Sequence, residues 1–234
     1  AATAPRIARR ITSAPVKLAP YGIVARHGQP VTQGIYVLHE GVVRLSDGKL
    51  QEIDYDDMPD MDVVEREGAP AEIIDVTVDG WVGFTNKYWM TSLVPSPGTA
   101  FTSVVKYLPG GDIYQTEARL PLLEVAAGAT GSASSQLFAG AKEWDAIRGY
   151  QNDSGVKGFV DSIDWGWFFF LTKPIFMLLH WLHGVIGNMG WAIIALTFIL
   201  KLLVFPLARK SYVSMAKMKE LQPEMEKLKE RVGD

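Results

Sequence analysis

The sequence predicts a chain of mixed class: an all-β sandwich, then an interfacial helix, a transmembrane helix and an amphipathic helix. Three observations carry that reading. Charge divides unevenly, with 14 Lys and Arg against 19 Asp and Glu in residues 1–160 and 9 against 7 in residues 161–234. Short apolar or alternating runs separated by turn residues fill the first part, the signature of strands. Between Asp164 and Arg209 only Lys173 and Lys201 are charged, and a run of that kind is long enough to cross a bilayer. The whole-chain figures of 48% hydrophobic and 21% charged residues average over these two objects.

The composition also excludes. A net charge of -3 argues against a nucleic-acid binder, and zero cysteines remove disulfides, cysteine-ligated zinc and thiol nucleophiles. The chain begins at Ala1 with no initiator Met, and it is expected to be a piece of a larger protein.

Strands are expected at 35–38, 42–45, 73–78, 81–84, 101–107 and 113–120. Asp47-Gly48, Asp79-Gly80, Pro95-Ser96-Pro97-Gly98 and Pro109-Gly110-Gly111-Asp112 separate several of them. Asp-Gly between such runs is a hairpin signal because it supplies positive φ cheaply. The opening residues show no obvious strand partner. The acidic stretch 52–67 lacks the spacing and central Gly of a calcium loop and is expected to be a solvated loop. Small residues at 126–140 read as a strand edge or linker. The β domain is therefore placed at 1–140 and is expected to be part of a larger domain; 141–159 is a linker with a short helix at 142–150.

The next segment, 160–184, opens on Asp164-Trp165-Gly166-Trp167-Phe168-Phe169-Phe170. Tryptophans belong at the headgroup level of a bilayer, so Trp165, Trp167, Trp181 and Trp191 are read as interface anchors. Thr172 is expected to cap a helix with Pro174 in its first turn. That leaves about 11 apolar residues, roughly 16 Å at helical rise, too short to span. An interfacial amphipathic helix fits. His180 and His183 share a face, but no third ligand lies nearby, so no metal site is expected.

Gly187-Asn188-Met189-Gly190 makes a break with Asn188 as the next N-cap. The run 185–208, about 36 Å as a helix, is sufficient to cross a bilayer. Arg209, Lys210, Lys217 and Lys219 follow before the first acid, Glu220. This basic exit places the C-terminal end in the cytoplasm and the β domain outside, which in a bacterium is the periplasm. Lys201 lies about 10 Å inside the run by helical rise. Either its ammonium snorkels to the interface, or it faces a wet cavity and meets a polar client; both follow from the same insertion cost. Thr197, one turn earlier, extends a polar seam. Pro206 removes a helical hydrogen bond and predicts a kink. Residues 209–234 carry an apolar seam at Met218, Leu221, Met225, Leu228 and Val232.

The segment from Trp181-Leu182-His183-Gly184 through Gly190-Trp191-Ala192, with Pro206-Leu207, Tyr212-Val213-Ser214-Met215-Ala216-Lys217-Met218 and Leu221-Gln222-Pro223, closely resembles the YidC/Oxa/Alb family of membrane protein insertases. Asp164-Trp165-Gly166-Trp167, Leu137-Phe138-Ala139-Gly140, His39-Glu40-Gly41 and Leu50–Tyr55 resemble it in the same order. The resemblance implies a mutarotase-like periplasmic β-sandwich over 1–140, with residues 1–184 on the periplasmic side of the inner membrane. It also implies an interfacial helix, the first core transmembrane helix, and at 209–234 the start of a cytoplasmic hairpin. It implies insertion and folding of nascent inner-membrane proteins, alone or with the Sec translocon and the ribosome, in the lipid bilayer and without a cofactor or enzymatic step. Lys201 stands where the family places a cationic groove residue; many members carry Arg there, and Lys keeps the charge but not the planar fork. Two other readings fit the layout: a membrane-tethered periplasmic sugar-binding protein, and a single-pass sensor.

Overall fold

The computed structural model describes residues 2–8, 14–30 and 39–232. It divides into two units, 1–164 and 165–234. The strand expected at 35–38 lies outside the described residues.

The first unit is built on two antiparallel sheets. One has strand order β1 (Ala2–Ala8), β13 (Gly131–Ala141), β9 (Trp89–Pro95), β8 (Gly80–Thr85), β4 (Gly41–Ser46), β5 (Lys49–Asp54). The other runs β3 (Tyr21–His27), β11 (Ile113–Arg119), β10 (Phe101–Leu108), β7 (Ala69–Val76), β6 (Val63–Val64). A two-stranded ribbon pairs β12 (Leu123–Val125) with β2 (Val16–Leu18). The facing sheets close over Val42, Val82, Phe84 and Leu93 from the first and Val76, Phe101, Val105 and Tyr114 from the second, the packing of a β-sandwich.

The six-stranded sheet is covered on its other face as well. Helix α1 (Trp144–Asn152), the loop after it and the 3-10 turn Phe159–Ser162 place Ile147, Val156 and Phe159 against Val43, Leu45, Trp81, Met90 and Phe138. With cover on both faces, all six residues of β4 are buried, Arg44 included, rather than alternating between core and solvent. The segment 141–159, expected to be a linker, thus contributes three fully or nearly buried side chains to this core.

Two sequence expectations are corrected here. The opening residues do have a partner: Ala2–Ala8 pair with β13 from Ala2↔Leu137 to Ala8↔Gly131. Of the two readings of the small-residue stretch, strand edge or linker, the strand holds from Gly131 on: β13 has 11 residues and lies between β1 and β9. Asp47-Gly48 is the hairpin turn between β4 and β5, with φ of 48° and 83°. Asp79-Gly80, by contrast, lies where the chain crosses from one sheet to the other. Asp47 ties that crossing down, its carboxylate accepting from the backbone N–H of Thr77 and Val78, both at 2.9 Å. These bonds, that of Thr77 first, hold the Asp47 carboxyl down at about 2.

The acidic stretch is more than a solvated loop. Met58 is fully buried, and Glu67 accepts from Arg119 Nη1 at 2.6 Å and Nη2 at 2.7 Å and from Lys106 Nζ at 3.1 Å. The Arg119 hydrogen bonds lower the Glu67 carboxyl to about 2 despite its burial. Arg119 also grips Glu117 at 2.6 Å. Between the sheets, the fully buried Arg44 of β4 donates to Gln51 at 2.9 Å and pairs with Glu72 of β7.

The second unit is helical. Helix α2 spans Phe169–Ile186, and α3 runs unbroken from Met189 to Val232. By length and composition, α2 and the part of α3 from Met189 to Lys219 can each cross a membrane. The chain is therefore an antiparallel β-sandwich followed by long apolar helices, the mixed class the sequence predicts.

Candidate functional site

Asn188 builds the start of α3. Its Oδ1 accepts from the N–H of Gly190 at 2.9 Å and of Trp191 at 3.2 Å, and its carbonyl takes the first helical bond from Ala192 at 3.0 Å. This is an N-cap, and it uses two donors that a helix end leaves without partners. Gly187 ends α2 with φ of 74° and its N–H on the His183 carbonyl at 2.7 Å. Two residues thus turn one helix into the next.

The turn folds α2 against the first half of α3. Leu182 meets Ala192 and Leu196 in the seam, with Ile175, Leu178, Leu179, Ala195, Ile199 and Leu200 around them. At 3.6 residues per turn, Thr197 and Lys201 lie across the helix from that seam. Both are exposed. Thr197 Oγ1 donates back to the Ile193 carbonyl at 2.8 Å, which occupies its proton and leaves its lone pairs free to accept. Around Lys201 stand Phe198 at 70%, Leu202 at 80% and Phe205 at 64% exposure. An ammonium in such company, inside a bilayer, needs water, a lipid headgroup or a polar partner. The arrangement can attract an anionic or polar group on the face of α3 that α2 leaves open.

Pro206 falls within α3, which continues through it. The carbonyl of Leu202 is the one deprived of its usual donor. Past it, Arg209, Lys210 and Lys217 line a shallow groove with Phe205, Val213 and Ser214, and Lys219 is exposed outside that lining. The seam expected at 218–232 is described only as far as Leu221, which is exposed, as is Met218.

The anchors divide. Trp167 is 94% exposed, and Trp181 and Trp191 are exposed too. Trp165 is half-buried, edge-on to Phe176 at 5.5 Å and under Lys173 Nζ at 5.8 Å. The helix begins earlier than the sequence implies. Phe168 caps it, and Thr172 lies within it, its Oγ1 donating to the carbonyls of Trp165 at 2.9 Å and Phe168 at 3.2 Å. Pro174 accordingly sits in the interior. Helix α2 has 18 residues, about 27 Å at helical rise, so the shortness read from the sequence is not there. The signal missed was the aromatic run itself: Phe169 and Phe170 form the first turn rather than a loop before it.

Comparison with known proteins places both units. The family described as the YidC periplasmic domain matches residues 7–178, and the family described as 60Kd inner membrane protein matches 181–234. A protein of Paracoccus denitrificans named membrane protein insertase YidC is 68% identical over 222 residues, covering 95% of this chain and 35% of that protein. Proteins of the same name from Cereibacter sphaeroides and Dinoroseobacter shibae are 64% and 63% identical, covering 94% and 93% of this chain and 37% and 36% of their own length. The chain thus spans little more than a third of these relatives. With a periplasmic β-sandwich of that family, two apolar helices after it and such identity along nearly its whole length, the chain belongs to the YidC family of bacterial inner-membrane proteins.

Proposed function

We propose that this chain is the periplasmic and first core portion of a membrane protein insertase. It acts on nascent inner-membrane proteins without enzymatic chemistry, alone or beside the Sec translocon and the ribosome. The observation that carries the reading is Lys201, the one charged residue in the apolar stretch Met189–Ala208 of α3, on the face away from the seam with α2. Its charge attracts polar or acidic segments of a client into the membrane, with Thr197 extending the polar face. The relatives' shared name supports the reading, and nothing in the comparisons favours a sugar-binding protein or a sensor.

In this reading 1–140 is the periplasmic sandwich and 160–184 lies at the periplasmic interface on its aromatic residues. Residues 185–208 cross the bilayer, and 209–234 emerge into the cytoplasm behind Arg209 and Lys210. Lys173, His180 and His183 give the interfacial segment polar positions.

The test is insertion of a small Sec-independent client in cells that depend on the full-length protein. Lys201→Ala and Lys201→Glu should both impair insertion, Glu more, because it repels what Lys attracts; Lys201→Arg should retain it. Unchanged insertion with Ala and Glu would remove Lys201 from the mechanism.

A further inference from the structure

Two exposed aromatics of the β unit have no place in its core. Tyr88 and Trp89 are 65% and 63% exposed at the tip of the β8–β9 hairpin. The tip is a closed turn, with the Asn86 N–H on the Trp89 carbonyl at 2.8 Å. Lys87 Nζ lies over the Tyr88 ring, 5.2 Å from its centroid. No acid occurs among residues 86–89.

The tip is fastened from both sides. Glu40 Oε1 accepts from the Lys87 N–H at 2.9 Å. The Lys142 N–H donates to the Tyr88 carbonyl at 2.9 Å, and Lys142 Nζ to Thr85 Oγ1 at 3.0 Å. Two exposed aromatics on an anchored turn form a preset surface, ordered before anything binds.

Its position is fixed by hydrogen bonds within the β unit. Glu40, which holds the tip, follows His39, whose N–H donates to Asp164 Oδ2 at 3.2 Å. Asp164 is the last residue of the unit, one peptide bond from Trp165 and the aromatic run 165–170. The tip therefore stands at the end of the sandwich where the chain leaves for the membrane.

We infer that the Asn86–Trp89 tip is a membrane foot, inserting Tyr88 and Trp89 into the headgroup layer of the periplasmic leaflet with Lys87 against lipid phosphate. Two features select a bilayer as the occupant. The tip lies at the end of the β unit that carries the unit's last residue, Asp164. Its composition, amphipathic aromatics with a cation, is that of an interfacial belt. The carboxylates of the same end, Glu40, Glu52, Asp54, Glu143 and Asp164, belong to other segments, and the Glu40 and Asp164 carboxylates accept backbone N–H groups of the unit itself. The exposed Tyr21, Ile23 and Leu122 share neither feature. The inference is independent of the role proposed for Lys201 and needs only the membrane location of the family.

The test uses the full-length protein, free of other thiols, in vesicles of phosphatidylethanolamine and phosphatidylglycerol. A nitroxide is attached at Lys87→Cys, with both aromatics kept, or at Ala100→Cys, in the loop 96–100 that follows β9, the seven-residue strand itself running roughly 20 Å from the tip to that loop. The label at 87 should collide more often with oxygen and less often with a water-soluble nickel chelate than the label at 100. Changing Tyr88 and Trp89 together to Ser should return label 87 to the behaviour of label 100, with the circular dichroism unchanged. Equal exposure of the two labels to the chelate would overturn the inference. Shielding of label 87 from both reagents would overturn it too, since that is the mark of a covering protein.

Discussion

The β unit and the helical unit dispose of their large apolar side chains in opposite ways. In the sandwich, Trp81, Tyr114 and Phe159 are almost wholly buried. On α3, Phe198, Leu202, Leu203 and Phe205 are more exposed than not. Similar residues, read against water, would make the first stable and the second an aggregation hazard. The difference teaches that the two units are folded for different solvents. The sandwich makes its own apolar interior, whereas among the described residues of α2 and α3 the buried apolar side chains are those of the seam, Leu182, Ala192 and Leu196.

Substitutions of one chemistry placed in both units sharpen that contrast. Trp81→Ala in the sandwich should cost about 3–5 kcal/mol of stability in a denaturant titration, as removal of a large buried aromatic does. Leu202→Ala, on the open face of α3, should leave the same titration unchanged; a comparable loss there would break the comparison. Charge works in the reverse sense. Leu202→Lys should make insertion of α3 less favourable by roughly 2.5–3.5 kcal/mol in a translocon insertion assay, and Lys201→Leu should make it more favourable by a similar amount.

The third test is acid, and it touches only the sandwich. Glu67 titrates at about 2 against an ordinary 4.5, because Arg119 hydrogen-bonds its ionised form. A carboxyl depressed on folding stabilises the protein above its unfolded pKa and loses that contribution as pH falls toward the folded one. Stability should therefore decline between about pH 4.5 and 2 by something on the order of 2 kcal/mol from Glu67. Asp47, held low by the N–H groups of Thr77 and Val78, adds to the same decline. Glu67→Gln should flatten the pH dependence of the melting temperature; an unchanged slope would mean that Arg119 does not hold Glu67 in solution. The smallest effect belongs to the helix turn. Asn188→Ala should cost about 1 kcal/mol, the value of a lost N-cap, seen as faster hydrogen exchange at Gly190 and Trp191 and not in the sandwich.

Local chemistry was readable in advance where a residue acts on its near neighbours. Asp47-Gly48 supplies two positive φ angles and makes a hairpin. Asn188 precedes an apolar run and caps it. Lys201 stands out because a charge in such a run is costly wherever the helix ends up. The failures share another origin. Asp79-Gly80 has the same chemistry as Asp47-Gly48, yet it joins two sheets, since no local signal says which strand the next one will pair with. Glu67 reads as one acid among eight until Arg119, 52 residues on, reaches it.

The sequence by itself determined the class of the chain, the division of its charge, the membrane helix with its cap and its single deep cation, and the family. These rest on composition, periodicity and near neighbours, which act over a few residues. Only the tertiary structure decided that Ala2–Ala8 completes a sheet, that α1 and Phe159 close the second core, and that Lys201 faces away from α2. It alone carried Asp164 to His39 and set Tyr88 and Trp89 at that same end. Each of these depends on which distant segments meet, and strand pairing and helix packing settle that by burying apolar surface and satisfying backbone hydrogen bonds over the whole fold.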